Sequence, residues 1–202
     1  MLLNRHCADF MQEQIQKMFS LQGDVAVITG GMGQLGSEYV KTLIAAGAKV
    51  AIFDVSDKVS PKVQVLIDTG KPVSVHKVDI TQKPEVGRGF DEAEAQLGTP
   101  TILINNAGLD SPPNAPVEEN GPFEGYPESS WDAVIDSHLK GAFLMSQEFI
   151  KRFRKAGEKD GSIVNIGSTY GVVSPDQSLY DFRRRGGEEF FKPPAYSVAK
   201  SG

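Results

Sequence analysis

The sequence predicts an α/β domain in which a doubly wound parallel sheet carries helices on both faces. Two observations predict this fold. Short apolar runs alternate with segments of helical spacing from Asp24 onward, and the first run ends in a glycine-rich turn. Strands that alternate with helices favour parallel pairing, with right-handed crossovers that cover both faces of the sheet.

Five apolar runs predict the strands, and helices or loops connect them. The predicted strands are residues 25–28, 49–53, 73–78, 101–104 and 162–166. The predicted helices are residues 34–46, a shorter helix after residue 61, residues 83–97 and residues 131–155. A proline-rich loop at 110–127 precedes the longest helix, which Ser129 or Ser130 is expected to cap and Gly157 to end.

Composition and charge argue against several classes of protein. With 202 residues, 40% hydrophobic and 23% charged, the chain is expected to form one domain at residues 21–202. Its net charge of −5 argues against a nucleic-acid partner. No apolar run approaches the ~18 residues of a membrane span. The single cysteine, Cys7, fits a reducing compartment and predicts a cytoplasmic protein.

Residues 1–20 precede this domain as an N-terminal extension in which a short amphipathic helix is expected. Its apolar side carries Phe10, Met11, Ile15, Met18 and Phe19. Two interpretations stay open here, a surface helix and a partner-binding arm.

The turn after the first strand reads Gly31-Met32-Gly33-Gln34-Leu35-Gly36 and opens the first helix. Glycines in this context let backbone N–H groups approach a pyrophosphate at the N-terminus of the helix, as in a Rossmann fold. Asp54 ends the second strand, close to the ~20-residue offset of an acid that binds ribose hydroxyls. Because a carboxylate there repels a 2′-phosphate, NAD is favoured over NADP.

Tyr196 and Lys200 lie four residues apart near the end of the chain. On a helix this spacing brings the two side chains to one face, where the ammonium favours the ionised form of the phenol. Such a pair in isolation is also typical of a solvated helix face. Beside a dinucleotide turn it predicts a proton-transfer group.

Taken in order along the chain, these motifs resemble the short-chain dehydrogenase/reductase family over residues 21–202. The resemblance rests on Thr29-Gly30 with the turn, Asp79-Ile80, the run Asn105-Asn106-Ala107-Gly108, Ser168, and Tyr196 with Lys200. It implies that Ser168 binds the substrate oxygen, Tyr196 moves the proton and Lys200 binds the nicotinamide ribose. The implied NAD contacts are Gly30, Gly31, Gly33, Leu35, Gly36, Asp54, Asp79, Ile80, Asn106, Ala107, Gly108, Tyr196 and Lys200. No metal is expected.

Three departures from the family pattern are visible. Gln34 replaces the middle glycine of the commoner turn, and the resulting pattern is similar to the nucleotide-sugar-modifying branch of the family. His138 stands where the family usually has an asparagine that holds a water in the proton relay. His138 could replace that group or mark an impaired enzyme. Ser168 and Tyr196 lie 28 residues apart, about twice the usual separation.

The extra residues between Ser168 and Tyr196, about 170–194, are called the insert below. Two interpretations stay open for its cluster Arg183-Arg184-Arg185 with Lys192, Phe190 and Phe191. Glu188 and Glu189 suit a solvated loop of mixed charge, whereas Arg side chains also suit a clamp for an anionic sugar. The insert is similar to short-chain oxidoreductases of bacterial surface-sugar and flagellin-glycosylation pathways.

The resemblance implies an NAD-dependent oxidoreductase that interconverts a secondary alcohol and a ketone, acting on a small, polar or sugar-like substrate. The alternatives are a nucleotide-sugar epimerase or dehydratase with tightly held NAD, and a non-catalytic NAD-binding module. The family continues beyond its Tyr/Lys motif, so we expect the C-terminal strands to be missing from the sheet. The longest helix is expected to pair subunits in a full-length homo-oligomer.

Overall fold

The computed structural model describes residues 14–15 and 17–202. Its five strands form one parallel sheet in the order β3-β2-β1-β4-β5. They are β1 (Val25–Thr29), β2 (Lys49–Asp54), β3 (Val73–Lys77), β4 (Ile102–Asn105) and β5 (Ser162–Asn165). Chain order reverses between β1 and β4, which is the topological switch point of a doubly wound sheet. The predicted fold class is confirmed, and each strand lies within one residue of its predicted bounds.

Helices connect these strands and cover both faces of the sheet. They are α1 (Gln34–Ala45), α2 (Pro61–Asp68), α3 (Lys83–Leu97), α4 (Glu128–Ile135), α5 (Gly141–Ala156), α6 (Asp181–Arg185) and α7 (Pro194–Ser201). Single 3₁₀ turns occur at Val117–Asn120, Phe123–Gly125, Thr169–Gly171 and Gln177–Tyr180. No helix in the described ranges is both long and apolar enough to cross a bilayer.

The core lies on the two faces of the central strands, because every side chain of β1 is buried. On one face Phe53 and Phe90 pack edge to face, 5.3 Å apart, against Met145 and Phe149. On the other face Ile28 and Ile52 pack against α1 and α2. Strand β5 pairs with β4 at the edge of the sheet, and Ile163 and Val164 on it remain partly exposed.

The helix that the sequence predicts at residues 131–155 is not continuous in the structure. Between α4 and α5 lies a π-helical turn, Asp136–Lys140, which inserts an extra residue and turns His138 inward. Gly141 follows the turn and allows a close approach, since a Cβ there would lie 2.5 Å from Ile80 Cδ1. The turn coincides with this tertiary contact, which helical spacing does not reveal.

Of the two predicted ends of this helix, the cap at the start is wrong and the end at Gly157 is confirmed. The first turn of α4 follows Pro127 and has no side-chain cap, so the expected cap by Ser129 or Ser130 is wrong. Pro127 is the residue at the cap position, and it is extended. Ser130, one turn later, instead donates its hydroxyl proton to the buried Glu119, 3.3 Å away. Gly157 ends α5 in the left-handed region, φ 77°, as predicted.

The N-terminal extension enters the described residues only near its end. Gln14, Ile15, Lys17 and Met18 have helical geometry, and the side chains of Ile15 and Met18 are exposed. Phe10 and Met11, which are expected on the apolar side of this helix, lie outside the described residues.

Candidate active site

Most of the expected site residues lie after the carboxyl ends of the five strands, and those after β1 and β4 flank the switch point. Ligands of open α/β sheets bind at this edge. The glycine turn follows β1, Asp54 ends β2, Asn106 follows β4, and Lys200 on α7 reaches the end of β5.

The glycine turn is built from close backbone contacts that side chains would prevent. A Cβ on Gly36 would lie 2.2 Å from the Gly30 carbonyl oxygen, and one on Gly31 would lie 2.6 Å from Ile52 Cγ2. Gly30 itself has φ 65°. Gly33 begins α1 with no side-chain cap, and the first turn carries no acidic residue. The N–H groups there are available to an anion such as a pyrophosphate. Leu35, in the same turn, is exposed.

Asp54 is fixed beside this turn by two backbone donors. Its Oδ2 accepts from the Met32 N–H and its Oδ1 from the Ser56 N–H, each at 3.0 Å. In the described part of the chain no lysine or arginine forms an ion pair with it. Its remaining lone pairs can accept ribose hydroxyls, and its charge opposes a phosphate at the same position.

Thr29 and Asn106 join the ends of β1 and β4. The Asn106 amide donates to the carbonyls of Thr29 and Gly30, at 2.9 and 3.1 Å. The Thr29 hydroxyl accepts from the N–H groups of Asn106 and Ala107, at 3.0 and 2.9 Å. Thr29 is absent from the predicted site residues. Its position directly before Gly30 in the glycine motif is the sequence signal that could have indicated its role.

Asp79 and Ile80 follow β3. Asp79 Oδ1 accepts from the N–H and the hydroxyl of Thr81, at 2.9 and 2.8 Å, which closes a tight local turn. Ile80 is buried against Gly141, so only part of its surface faces the cavity that it lines.

Lys200 and Tyr196 come together on α7 as the spacing predicts. Lys200 Nζ donates to the Ile166 carbonyl at 2.6 Å and lies 5.9 Å from the centre of the Tyr196 ring. Burial lowers the pKa of Lys200 below its usual value. Ser168 begins the 3₁₀ turn Thr169–Gly171, and its hydroxyl accepts from the Tyr170 N–H. That turn packs on α7, since a Cβ on Gly171 would lie 2.2 Å from the Lys200 carbonyl oxygen.

His138 is the residue whose proximity to Tyr196 the sequence alone does not show. The two rings meet edge to face with centroids 5.6 Å apart. His138 Nε2 donates to the Leu109 carbonyl at 3.0 Å, which leaves Nδ1 as the acceptor nitrogen in the neutral ring. Burial lowers the pKa of His138, and the nearby Lys200 charge acts in the same direction. The neutral form of His138 is therefore favoured.

A cavity of about 410 Å³ lies between these elements, with Thr29, Ala107, His138 and Lys200 in its wall. Asn105 also lines it, and its amide donates to Asn165 and Ser146, at 2.8 and 3.2 Å. Its Oδ1 is buried without a partner among the described residues, so one acceptor remains available. Among the described residues, no three His, Cys, Asp or Glu side chains are grouped so that they could hold a metal ion.

The insert brings a different cation to the site from the one expected. Arg183 pairs with Glu188, and Arg184 pairs with Asp181 while also donating to the carbonyls of Gln177 and Phe190. These partners satisfy the two arginines within the insert, which matches the mixed-charge interpretation. Lys192 instead reaches Tyr196, with its Nζ 5.4 Å from the centre of that ring.

The family model for short chain dehydrogenases matches residues 24–201. The chain belongs to this family. Its members include a 3-alpha-(or 20-beta)-hydroxysteroid dehydrogenase of Mycobacterium tuberculosis, 32% identical over 154 residues, or 76% of this chain and 54% of the relative. The chain thus spans about half the length of that relative.

Two further short-chain dehydrogenases are similar over more of this chain. The cis-4-hydroxycyclohexanecarboxylate dehydrogenase of Sinomonas cyclohexanicum is 30% identical, over 88% of this chain and 68% of its own length. A crystal structure of a short-chain dehydrogenase from Leptospira borgpetersenii with bound NAD+ superposes with a TM-score of 0.71. That structure is 31% identical, over 91% of this chain and 62% of its own.

Proposed function

We propose that the protein interconverts a secondary alcohol and a ketone with NAD as the redox partner. The observation that carries this proposal is the meeting of Lys200 and His138 at the Tyr196 ring, in a sheet whose first strand ends in an uncapped glycine turn. When bound, NAD supplies the acceptor for the hydride from the alcohol carbon. The residues of the chain then have two tasks, to hold the dinucleotide and to move the alcohol proton.

Tyr196 is the proposed acid/base, which takes the alcohol proton in oxidation and returns it in reduction. Lys200 is proposed to support the phenolate and to bind the nicotinamide ribose, because its ammonium is fixed by the Ile166 carbonyl beside the ring. Ser168 is the proposed donor to the substrate oxygen. The lowered pKa of His138 favours its neutral form, so the ammonium groups of Lys200 and Lys192 are the positive charges that lie near the Tyr196 ring among the described residues.

NAD is the proposed form of the cofactor because Asp54 is held at the turn by Met32 and Ser56. Its carboxylate would accept from the ribose hydroxyls and repel a 2′-phosphate. The turn glycines Gly30, Gly31, Gly33 and Gly36, with Leu35, would face the pyrophosphate. The proposed contacts to the rest of the dinucleotide are Asp79, Ile80, Asn106, Ala107 and Gly108.

A polar substrate is proposed because the pocket wall is rich in polar groups, including Asn105 and Lys200. The name of the Sinomonas relative, a hydroxycarboxylate dehydrogenase, supports the same choice. The anionic-sugar form of this proposal no longer rests on Arg183 and Arg184, which pair within the insert. We further propose a homo-oligomer that pairs through α5, since Phe143 and Ile150 on this helix are exposed. A cytoplasmic location is proposed because the single cysteine fits a reducing compartment.

The test measures NADH and NADPH binding by fluorescence, then NADH formation with a panel of secondary alcohols. We expect NADH to bind more tightly than NADPH and at least one polar alcohol to be oxidised. An enzyme that retains NAD through purification and forms no net NADH would instead be an epimerase or dehydratase. Saturable NADH binding with no turnover of any kind would identify a non-catalytic module and contradict the proposal.

A further inference from the structure

We propose that Lys192 selects the substrate by binding the carboxylate of a hydroxy acid whose hydroxyl meets Tyr196. The inference rests on the proposed function, because it takes Tyr196 as the group that moves the alcohol proton. It replaces the expected arginine clamp with one ammonium and narrows the substrate class to monoanionic hydroxy acids.

The position of Lys192 supports this role. Its Nζ lies 5.4 Å from the centre of the Tyr196 ring, and its side chain is only 11% exposed. The Lys200 ammonium lies 5.9 Å from the same ring and is bound to the Ile166 carbonyl. Among the described residues, two cations therefore lie near the Tyr196 ring, and Lys192 is the one that the Ile166 carbonyl does not bind.

The backbone around Lys192 is held from both sides, so its side chain starts from a fixed point. The Lys192 N–H donates to Gln177 Oε1 at 2.9 Å, and Gln177 Nε2 donates back to the Lys192 carbonyl at 3.2 Å. The neighbouring Phe191 N–H donates to the Asn120 carbonyl at 2.7 Å. A pre-positioned ammonium binds an anion with a smaller loss of conformational entropy than a free lysine.

The present partner of Lys192 can give way to a substrate. Lys192 forms an ion pair with Asp110, whose side chain is 60% exposed and can be solvated when the pair opens. Arg184 lacks this freedom, because it holds Asp181 and two carbonyls. A substrate carboxylate beside Tyr196 would replace the Asp110 carboxylate on a nearly buried ammonium.

Charge favours a hydroxy acid over a sugar phosphate. The Lys192 ammonium, with the acidic Asp110 beside it, suits a single negative charge better than the roughly two charges of a phosphate monoester. Because Lys192 Nζ lies 5.4 Å from the centre of the Tyr196 ring, a carboxylate bound to it would lie beside the side chain that is proposed to move the alcohol proton.

The test compares each hydroxy acid with its neutral methyl ester in NADH formation, using 3-hydroxybutyrate and cis-4-hydroxycyclohexanecarboxylate. We expect kcat/KM to favour the acid in the parent protein. Lys192→Gln should lower kcat/KM for the acid by about 10- to 100-fold, the range for a hydrogen bond to a charged group, and leave the ester unchanged. Lys192→Arg should restore part of the preference. Arg185→Gln, on a side chain that is 82% exposed, is the matched control and should change neither substrate.

Two results would overturn the inference while the proposed function stands. One is equal use of acid and ester by the parent protein, and the other is an equal loss for both in Lys192→Gln, which would indicate a structural role. Preferred turnover of a phosphorylated sugar would also overturn the inference, because it would indicate that the site binds a phosphate and not a carboxylate. Absence of turnover with every acid, ester and neutral alcohol would instead contradict the proposed function itself.

Discussion

Gly108 lies so close to His138 that one added methyl group tests the position of that ring. A Cβ on Gly108 would lie 2.0 Å from His138 Cε1, 2.4 Å from Nδ1 and 2.6 Å from Nε2. The ring has little room to retreat, because Nε2 is bonded to the Leu109 carbonyl and its edge meets Tyr196.

The expected cost of Gly108→Ala follows from this geometry. Overpacking a well-packed site costs about 1–3 kcal/mol. Because three ring atoms lie inside contact distance, we expect the upper part of that range, about 2–3 kcal/mol. At ~2–4 °C per kcal/mol for a protein of this size, Tm should fall by roughly 4–12 °C.

The assay is urea unfolding of Gly108→Ala, His138→Ala and the double variant, followed by circular dichroism. Since His138→Ala removes the obstructing ring, the double variant should be about 1–2 kcal/mol more stable than the sum of the single losses predicts. Gly87→Ala on α3 is the matched control. A Cβ there meets nothing within 4 Å, so it should be neutral or stabilising. Additive losses would refute the proposed contact between Gly108 and His138.

Three further predictions concern the cofactor, the histidine and the insert. Asp54→Ala should weaken NADH binding about tenfold and reduce the preference over NADPH, and an unchanged ratio in a fluorescence titration would contradict the role of Asp54. Because burial lowers the folded-state pKa of His138, the unfolded chain binds more protons below pH 6.5. Stability should therefore fall from pH 7 to pH 5 more steeply in the parent than in His138→Asn, and equal slopes would exclude this cause. Arg184→Ala should lower the free energy of unfolding by about 1–3 kcal/mol, whereas Arg185→Ala should leave it unchanged. A loss of turnover in Arg184→Ala that is specific to phosphorylated sugars would instead support the arginine clamp for an anionic sugar.

The fold, the place of the glycine turn after β1 and the place of Asp54 at the end of β2 could be predicted because their signals are local in the sequence. An apolar run, a turn with glycines at fixed offsets and the spacing of Tyr196 and Lys200 each depend on neighbouring residues only. The hydroxyl of Thr29, which joins β1 to β4, follows the same motif but its bonds depend on the register of two strands.

The π-helical turn and the pair between Lys192 and Asp110 could not be predicted, since both involve contacts between distant segments. The His138 ring packs against Gly108, thirty residues earlier, where a side chain would leave no space for it. Arg183 and Arg184 pair with nearby residues of the insert, as the mixed-charge interpretation predicts, whereas Lys192 meets Asp110 across 82 residues. Residue type alone therefore suggested a cation near Tyr196 but not which one.

The most direct test of the central claim is the turnover of Tyr196→Phe, measured beside its NADH affinity. General acid–base catalysis contributes about 10²- to 10⁴-fold, so NADH formation should fall by that factor while NADH binds within about twofold of the parent. Tyr39→Phe, which removes a phenol on α1, is the control and should retain turnover. Unchanged turnover in Tyr196→Phe would contradict the assignment of Tyr196 as the proton-transfer group.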